Sequence, residues 1–550
     1  MKTTLLFGVL LFLLAGSGTA WGASPAGTNL AQVTDYTAEY PFINRFKQAR
    51  AWISGNDQTF TFDDGRALDL DANDDVRSLL SDQVARTVLF TGLPADPGLA
   101  NKRMVLRYAG EGSLRYDGRV EVLSQQPGRD VIRLLGGDAR TEATLIITLQ
   151  STNPDNPLRS IRLTPSGGVC ASKPRVVVGS AADCADGEYR SFERYQATLR
   201  FDPLFLSRLS GYGSLRFMDW MRTNNSAQQA FADRPRVADA FWSTDAGVPL
   251  EVMIDLANRL NANPWFNIPH LASDDYVRRF ARVVRDRLEP GRVAWFEYSN
   301  EVWNSIFEQT GYATDRGEEL GFDQPENDTT IGMLRYYSDR AQAVFRLIEE
   351  EFGGTARIRR VLATQAVIPF FTQTILDHED AVALTDAFAI APYFGVSVAD
   401  EADAAEIKAL GVDGLFIWLE QDNNAELDYG SLASIERTID DQLAELDGTG
   451  IPLVSYEGGQ HFVGVFGFEN DTDLNRILTL VNRDARMKGI YLRYLRDWQA
   501  RTGQPFMHFV HCDRWSRYGR WGALQFPTQA RSRAPKFDAL RTFVEQNPLP

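Results

Sequence analysis

From about Glu193 onward the chain alternates short apolar runs with amphipathic helical stretches, and this rhythm constrains the fold more than any other feature. A run apolar on both faces suits a strand buried on both sides. A helix following it carries the chain back to start a parallel neighbour. Seven such runs are visible: LRFMDW (Leu215 to Trp220), PWFNIPH (Pro264 to His270), RVAWFEYSNE (Arg292 to Glu301), RIRRVLATQA (Arg357 to Ala366), DAFAIAPYFG (Asp386 to Gly395), IPLVSYEGG (Ile451 to Gly459) and PFMHFVHC (Pro505 to Cys512). Stretches such as DDYVRRFARVVRDRL and MLRYYSDRAQAVFRLIEEEF separate them as helices. An eighth strand would close an α/β fold of the (β/α)8 TIM barrel type. FINRFKQARAWIS (Phe42 to Ser54) is the expected first strand.

Between that segment and Glu193 the pattern changes to brief alternating runs, RMVLRY, DGRVEVL, LIITL and SIRL, with Gly, Pro, Asn and Asp between them. Period-two alternation broken by turn residues predicts a β-sandwich. The expected division is a β-rich sandwich-like domain over residues 58–190 and a barrel built from 28–57 and 191–550, the sandwich inserted after the first barrel strand. The alternative is an independent N-terminal β domain with the first barrel strand near Tyr195 to Phe201.

Residues 1–20 combine Lys2, an apolar run from Leu5 to Ala15 and a small-residue exit, the layout of a secretory signal peptide. A soluble secreted or periplasmic protein with no membrane insertion is expected, because no later stretch holds enough uninterrupted apolar residues to span a bilayer. A formal net charge of -16 without a basic patch argues against nucleic acid as a partner. Cys170 and Cys184 bracket a short loop and are the expected disulfide, worth roughly 3 kcal/mol in the chain-entropy model. Cys512, in an apolar segment, is expected to be a buried, inert thiol.

In a parallel barrel the chemistry gathers at the carboxyl ends of the strands. Those ends supply Arg216 and Asp219, His270, Asn300 and Glu301, Gln365, Tyr393, Glu457, and His511 with Asp513. Four of the five histidines lie at or near such ends: His270, His461, His508 and His511. Glu301 closes the fourth strand and Glu457 the seventh, across the mouth from one another. Paired carboxylates in one cleft are what glycosidic cleavage requires, one to protonate the leaving oxygen and one to meet the oxocarbenium-like carbon. No HExxH, Ca²⁺-loop, G-x-S-x-G, P-loop or dinucleotide pattern occurs, so no metal or cofactor is expected.

N-E after a fourth strand, Tyr after a sixth, Glu after a seventh and Trp after an eighth resemble clan A of the glycoside hydrolases, the (β/α)8 retaining enzymes, with cellulase-like and agarase-like families nearest. The resemblance implies Glu301 as general acid/base and Glu457 as nucleophile on a β-linked poly- or oligosaccharide. It further implies Asn300 on the sugar 2-hydroxyl, Tyr393 against Glu457, Arg216 beneath the nucleophile, His270 in the glycone subsite, and Trp515 or Trp521 as an apolar platform. Asp219 and His511 are further candidates for substrate contact. Glu297, one rung deeper, is expected to be scaffold. A carbohydrate-binding protein without turnover, or a transglycosylase, would use the same barrel.

Overall fold

The computed structural model describes residues 25–548 apart from 94–97, 137–143, 186, 425–426 and 428. The expected signal peptide over residues 1–20 lies outside the described residues. Eight parallel strands close into a barrel: β1 (Ala26–Asn29), β2 (Ser214–Arg216), β3 (Asn263–Ile268), β4 (Ala294–Tyr298), β5 (Ile358–Ala363), β6 (Ala387–Ile390), β7 (Leu453–Ser455) and β8 (Phe506–His508). β1 pairs on one side with β2, Asn29 opposite Arg216, and on the other with β8, Gly27 opposite Met507.

Alternation along the strands sorts the side chains into two layers. Trp265, Trp295, Val361, Ala363, Ala387, Ala389, Val454 and Met507 fill the barrel interior, while Phe266, Phe296, Leu362, Phe388 and Phe506 join the core shared with the helices. The two interior indoles stack at 4.9 Å between ring centroids. β6 supplies only Ala387 and Ala389 to the same layer, and β1 supplies Gly27, where an added Cβ would meet the Met507 sulfur at 2.1 Å. Outside, the helix Asp274–Arg287 buries Tyr276, Val277, Phe280, Ala281 and Val284, the spacing of one helical face. Ser273 caps it by accepting from the Tyr276 N–H, and Arg285 and Arg287 sit in its last turn, where a cation suits the dipole.

The first strand differs from expectation. Phe42–Ser54 holds a 3-10 turn, Arg45–Gln48, and Ile53–Gly55 pairs with Val84–Leu89 outside the barrel. The aromatic residues that made this segment resemble a strand pack sideways instead: Phe42 meets Trp242 at 4.8 Å and Phe46 meets Phe241 at 5.2 Å. β1 is the four-residue AGTN, buried throughout.

The antiparallel sheets fall in chain order between β1 and β2. Two of them have four strands each, and their facing side chains, among them Leu106, Ile132, Leu145, Ile147 and Leu163, form one core. A third sheet, Lys173–Val178 with Gly168–Cys170 and Tyr189–Ser191, carries Cys170, whose sulfur is bonded to that of Cys184. Cys512 is buried. Among the described residues no helix is long and apolar enough to cross a membrane.

Candidate active site

β4 ends at Tyr298, and the next three residues turn sharply into the barrel mouth. Ser299 and Glu301 both take left-handed backbone angles, φ 60° and 42°. A side chain in that region is strained, and such strain persists only where neighbours hold it. Here the Ser299 N–H donates to the Ile268 carbonyl at 2.8 Å, and the Glu301 carbonyl accepts from the Asn304 N–H at 2.9 Å. The turn points Asn300 inward, 2% exposed.

Arg216, at the end of β2 and fully buried, organises the floor of the site. Its Nη1 donates to Glu457 Oε1 at 2.8 Å and Asn29 Oδ1 at 3.3 Å, its Nη2 to Asn300 Oδ1 at 2.7 Å, and Nε and Nη2 fork onto Glu297. Glu297 also accepts from the Trp265 indole at 2.9 Å. It lies below the mouth, in the interior layer expected of scaffold. A buried cation with two carboxylates has its desolvation offset only when every donor is used, as here.

Glu457 follows β7 and is 5% exposed. Its second oxygen accepts from the Tyr393 hydroxyl at 2.8 Å. Glu301 has a different environment: Oε1 accepts from the Tyr456 hydroxyl at 3.0 Å and Oε2 from the Asn304 amide at 2.9 Å, both neutral donors. Burial pushes the Glu457 carboxyl up to about 8, against the pull of Arg216, and Glu301 adds to the rise. Burial also raises Glu301, while Asn304 and Tyr456 pull it down. Two carboxyls this close in effect titrate as a pair, holding one proton between them over an intermediate pH range.

A cavity of about 440 Å³ opens on the Glu301 side, lined by Glu301, Asn304, Trp303, Gln365, Tyr393, Tyr429, Tyr456 and His461 among others. Around the rim an aromatic chain runs from β8 to β6: Phe509 edge-on to Trp521 at 6.2 Å, Trp521 against His461 at 5.7 Å, and His461 against Tyr393 at 5.3 Å.

Of the expected residues, Arg216, Asn300, Glu457 and Tyr393 are joined by direct hydrogen bonds, and Glu301 is tied to them through Tyr456. Trp521 reaches the cavity through His461. His270, 4% exposed, lies edge-on to Tyr312 at 5.3 Å; its Nδ1 has no partner among the described residues, and burial lowers it to about 4. Asp219 is raised to about 7 by burial and then by Asp513, and Asp513 to about 6 by burial.

Two expected contacts sit elsewhere. Trp515 lines a separate surface cavity with Asn475 and Arg520, its indole donating to the Gly522 carbonyl at 2.8 Å and Lys536 lying 4.5 Å over its ring. His511 is 1% exposed and turns into a cavity between sandwich and barrel, its Nε2 3.5 Å from Glu39 Oε1. Both follow β8, where the chain turns away from the mouth. Trp521, further along, returns to it.

The sequence reading missed Asn29, Asn224, Asn304, Tyr456 and Phe509. Asn224 accepts from both Asn300 and Gln309, at 3.0 and 2.8 Å, so the loop after β2 braces the turn after β4. Asn304 was within reach of pattern reading, three residues past Glu301 in SNEVWN. Phe509, whose N–H donates to the Gly458 carbonyl at 2.9 Å, directly follows β8 and was visible as its terminal aromatic. Among the described residues no group of three or more His, Cys, Asp or Glu is placed to hold a metal ion.

No protein-family model matches the chain, and no curated protein matches it. Solved structures that resemble it are glycoside hydrolases. A 4-O-α-L-rhamnosyl-β-D-glucuronidase from Fusarium oxysporum 12S is 10% identical with a TM-score of 0.35, over 62% of this chain and 63% of that one. This chain therefore spans less than two thirds of that enzyme. A Bacteroidetes-affiliated family 5 cellulase is 12% identical with a TM-score of 0.32, over 62% of this chain and 90% of that one. An exo-β-agarase is 9% identical with a TM-score of 0.30, over 92% of this chain and 99% of that one. The functional reading rests on the site itself.

Proposed function

We propose that the protein is an exported retaining glycoside hydrolase that cleaves a β-linked poly- or oligosaccharide, with Glu457 as nucleophile and Glu301 as general acid/base. One observation carries the reading: two carboxyls follow β4 and β7 in unlike environments, the buried Glu457 against Arg216 and the half-buried Glu301 hydrogen-bonded by neutral donors only. That difference favours the charge on Glu457 and the shared proton on Glu301 in the reactive form.

In the first step the Glu457 carboxylate attacks the anomeric carbon as the bond from that carbon to the leaving oxygen breaks. The leaving oxygen takes the Glu301 proton. In the second, Glu301, now a carboxylate, removes a proton from water, and the resulting hydroxyl displaces Glu457 from the sugar and restores both groups. Retention requires carboxyls about 5–5.5 Å apart, so that no water fits between Glu457 and the sugar. Asn300, fixed by Arg216 and Asn224, is set to meet the sugar 2-hydroxyl. Phe509 and Trp521 offer rings to the apolar faces of a pyranose. The sequence pattern of residues 1–20, an apolar run with a small-residue exit after Lys2, supports the export part of the reading.

The test is turnover of a β-glycan panel by wild type, Glu301→Gln and Glu457→Gln, with product anomers followed by NMR. Both variants should fold and lose hydrolysis of natural glycan. On an activated aryl glycoside, whose leaving group needs no proton, E301Q should keep its first step and E457Q should lose it. Initial release of the inverted anomer, or wild-type turnover by E457Q, would refute the assignment.

A further inference from the structure

The cavity beside Glu301 has a chemistry of its own. Glu301 and Asn304 line it and Glu457 does not, so it lies on the side from which a proton reaches the departing oxygen. Its volume of about 440 Å³ falls within the range of small-molecule sites, roughly 300–1,000 Å³. Its walls combine Trp303, Tyr393, Tyr429 and Tyr456 with the amides of Asn304 and Gln365, the hydroxyl of Ser397 and the imidazole of His461. Flat apolar faces beside small hydrogen-bonding groups suit a sugar ring, with C–H on its faces and hydroxyls on its edge. The Trp303 indole N–H is shielded from solvent and has no acceptor among the described residues.

Charge narrows the class. Among the described residues lining the cavity there is no Lys or Arg; the charged side chains are Glu301 and Asp403. Behind Glu457 the acids continue, since Asp219 acts electrostatically on Glu457 and Asp513 on Asp219. Three cations act on these acids, Arg216, Arg222 and Arg514, but none lines the cavity: the donors of Arg216 are taken by Glu297, Glu457, Asn29 and Asn300, Arg222 pairs with Asp245, and Arg514 donates to the Gly92 carbonyl. A uronate or sulfate on the leaving-group sugar would meet Glu301 and Asp403 with no cation lining the cavity to answer it.

We propose that this cavity is the leaving-group subsite for an uncharged sugar, packed on Trp303, and that the substrate carries a neutral sugar rather than a uronate or sulfated one on the leaving-group side of the scissile bond. The inference rests on Glu301 being the acid. Two measurements test it. In the first, neutral β-gluco-, β-manno- and β-galacto-oligosaccharides are compared with oligosaccharides bearing a uronate on the leaving-group side of the scissile bond. A neutral member should be cleaved with kcat/KM at least tenfold above any uronate, and equal or better cleavage of a uronate substrate overturns the charge argument. In the second, Trp303→Ala and Trp303→Phe are assayed on the best neutral oligosaccharide and on the 2,4-dinitrophenyl glycoside of the same glycone, which leaves the subsite without a sugar. Trp303→Ala should lower kcat/KM about tenfold or more on the oligosaccharide and less than about threefold on the aryl glycoside, with Trp303→Phe in between. An equal fall on both overturns the subsite, because it marks a structural role for Trp303. If wild type cleaves neither the oligosaccharides nor the activated glycoside, the glycosidase reading itself fails, and the inference falls with it.

Discussion

Replacing Arg216 by Lys keeps the charge and removes the fork. Arg216 donates to Glu297 through two nitrogens while Nη1 reaches Glu457 at 2.8 Å. A lysine ammonium is a compact charge on a flexible stem and cannot hold both carboxylates in that geometry. Glu297 keeps the Trp265 indole as a second donor, so Glu457 is the group expected to lose its partner. A charge-assisted hydrogen bond of this kind is worth about 1.5–3 kcal/mol, and 1.36 kcal/mol corresponds to one pKa unit. The last proton of the Glu301–Glu457 pair, already held to about 8, should be held about one to two pH units higher. The sign follows from the charge: losing the cation disfavours the carboxylate, so the last proton of the pair is held to higher pH. The assay is kcat/KM from pH 4 to 10 on an activated glycoside. The maximum should fall about 10–100-fold, because less enzyme carries its charge on Glu457, and the alkaline limb should move upward. A variant whose activity falls while that limb stays still, or moves down, would refute the claim that Arg216 acts by favouring the Glu457 anion.

Three further outcomes are expected. Tyr393→Phe removes one hydrogen bond from Glu457 and should lower kcat/KM about 5–50-fold with the fold intact by circular dichroism. Gly458→Ala places a methyl 2.4 Å from the Phe506 ring and 2.9 Å from the Tyr494 hydroxyl, beside Glu457; urea unfolding should show a loss of about 1–3 kcal/mol, with reduced turnover. Stability should also depend on pH through the Glu301–Glu457 pair. Burial holds the last proton of the pair to about 8, above an unfolded carboxyl value of about 4.3, so its contribution is fully present below that lower value and is lost as pH rises toward 8. Urea unfolding from pH 5 to 8 should show wild type losing on the order of 1 kcal/mol per pH unit more than Glu457→Gln.

The barrel was legible because β3 to β8 are buried on both faces and read as apolar runs. β1 was not, because the barrel asks the opposite of it: with the Met507 side chain against Gly27 it has little room for a side chain there, and AGTN carries no strand signal. Phe42–Ser54 misled for the converse reason, its rings being buried at the seam between sandwich and barrel. In the site, groups fixed by a strand end were readable, as with Arg216, Glu301 and Glu457. Groups delivered by loops were not. Asn224 acquires its meaning from a partner 76 residues away, and the loop after β8 carries Trp515 and His511 away from the mouth while returning Trp521; Asn29 ends a strand, but one that was itself unread, and its partner lies 187 residues on.

The left-handed backbone at residue 301 bears on how this protein can change. Glycine or asparagine would sit there with less strain than glutamate does. Substitution at this one position should therefore relieve the fold while abolishing the proposed acid. A screen that rewards heat resistance alone would enrich replacements of Glu301, and only a screen that also demands turnover would return the glutamate.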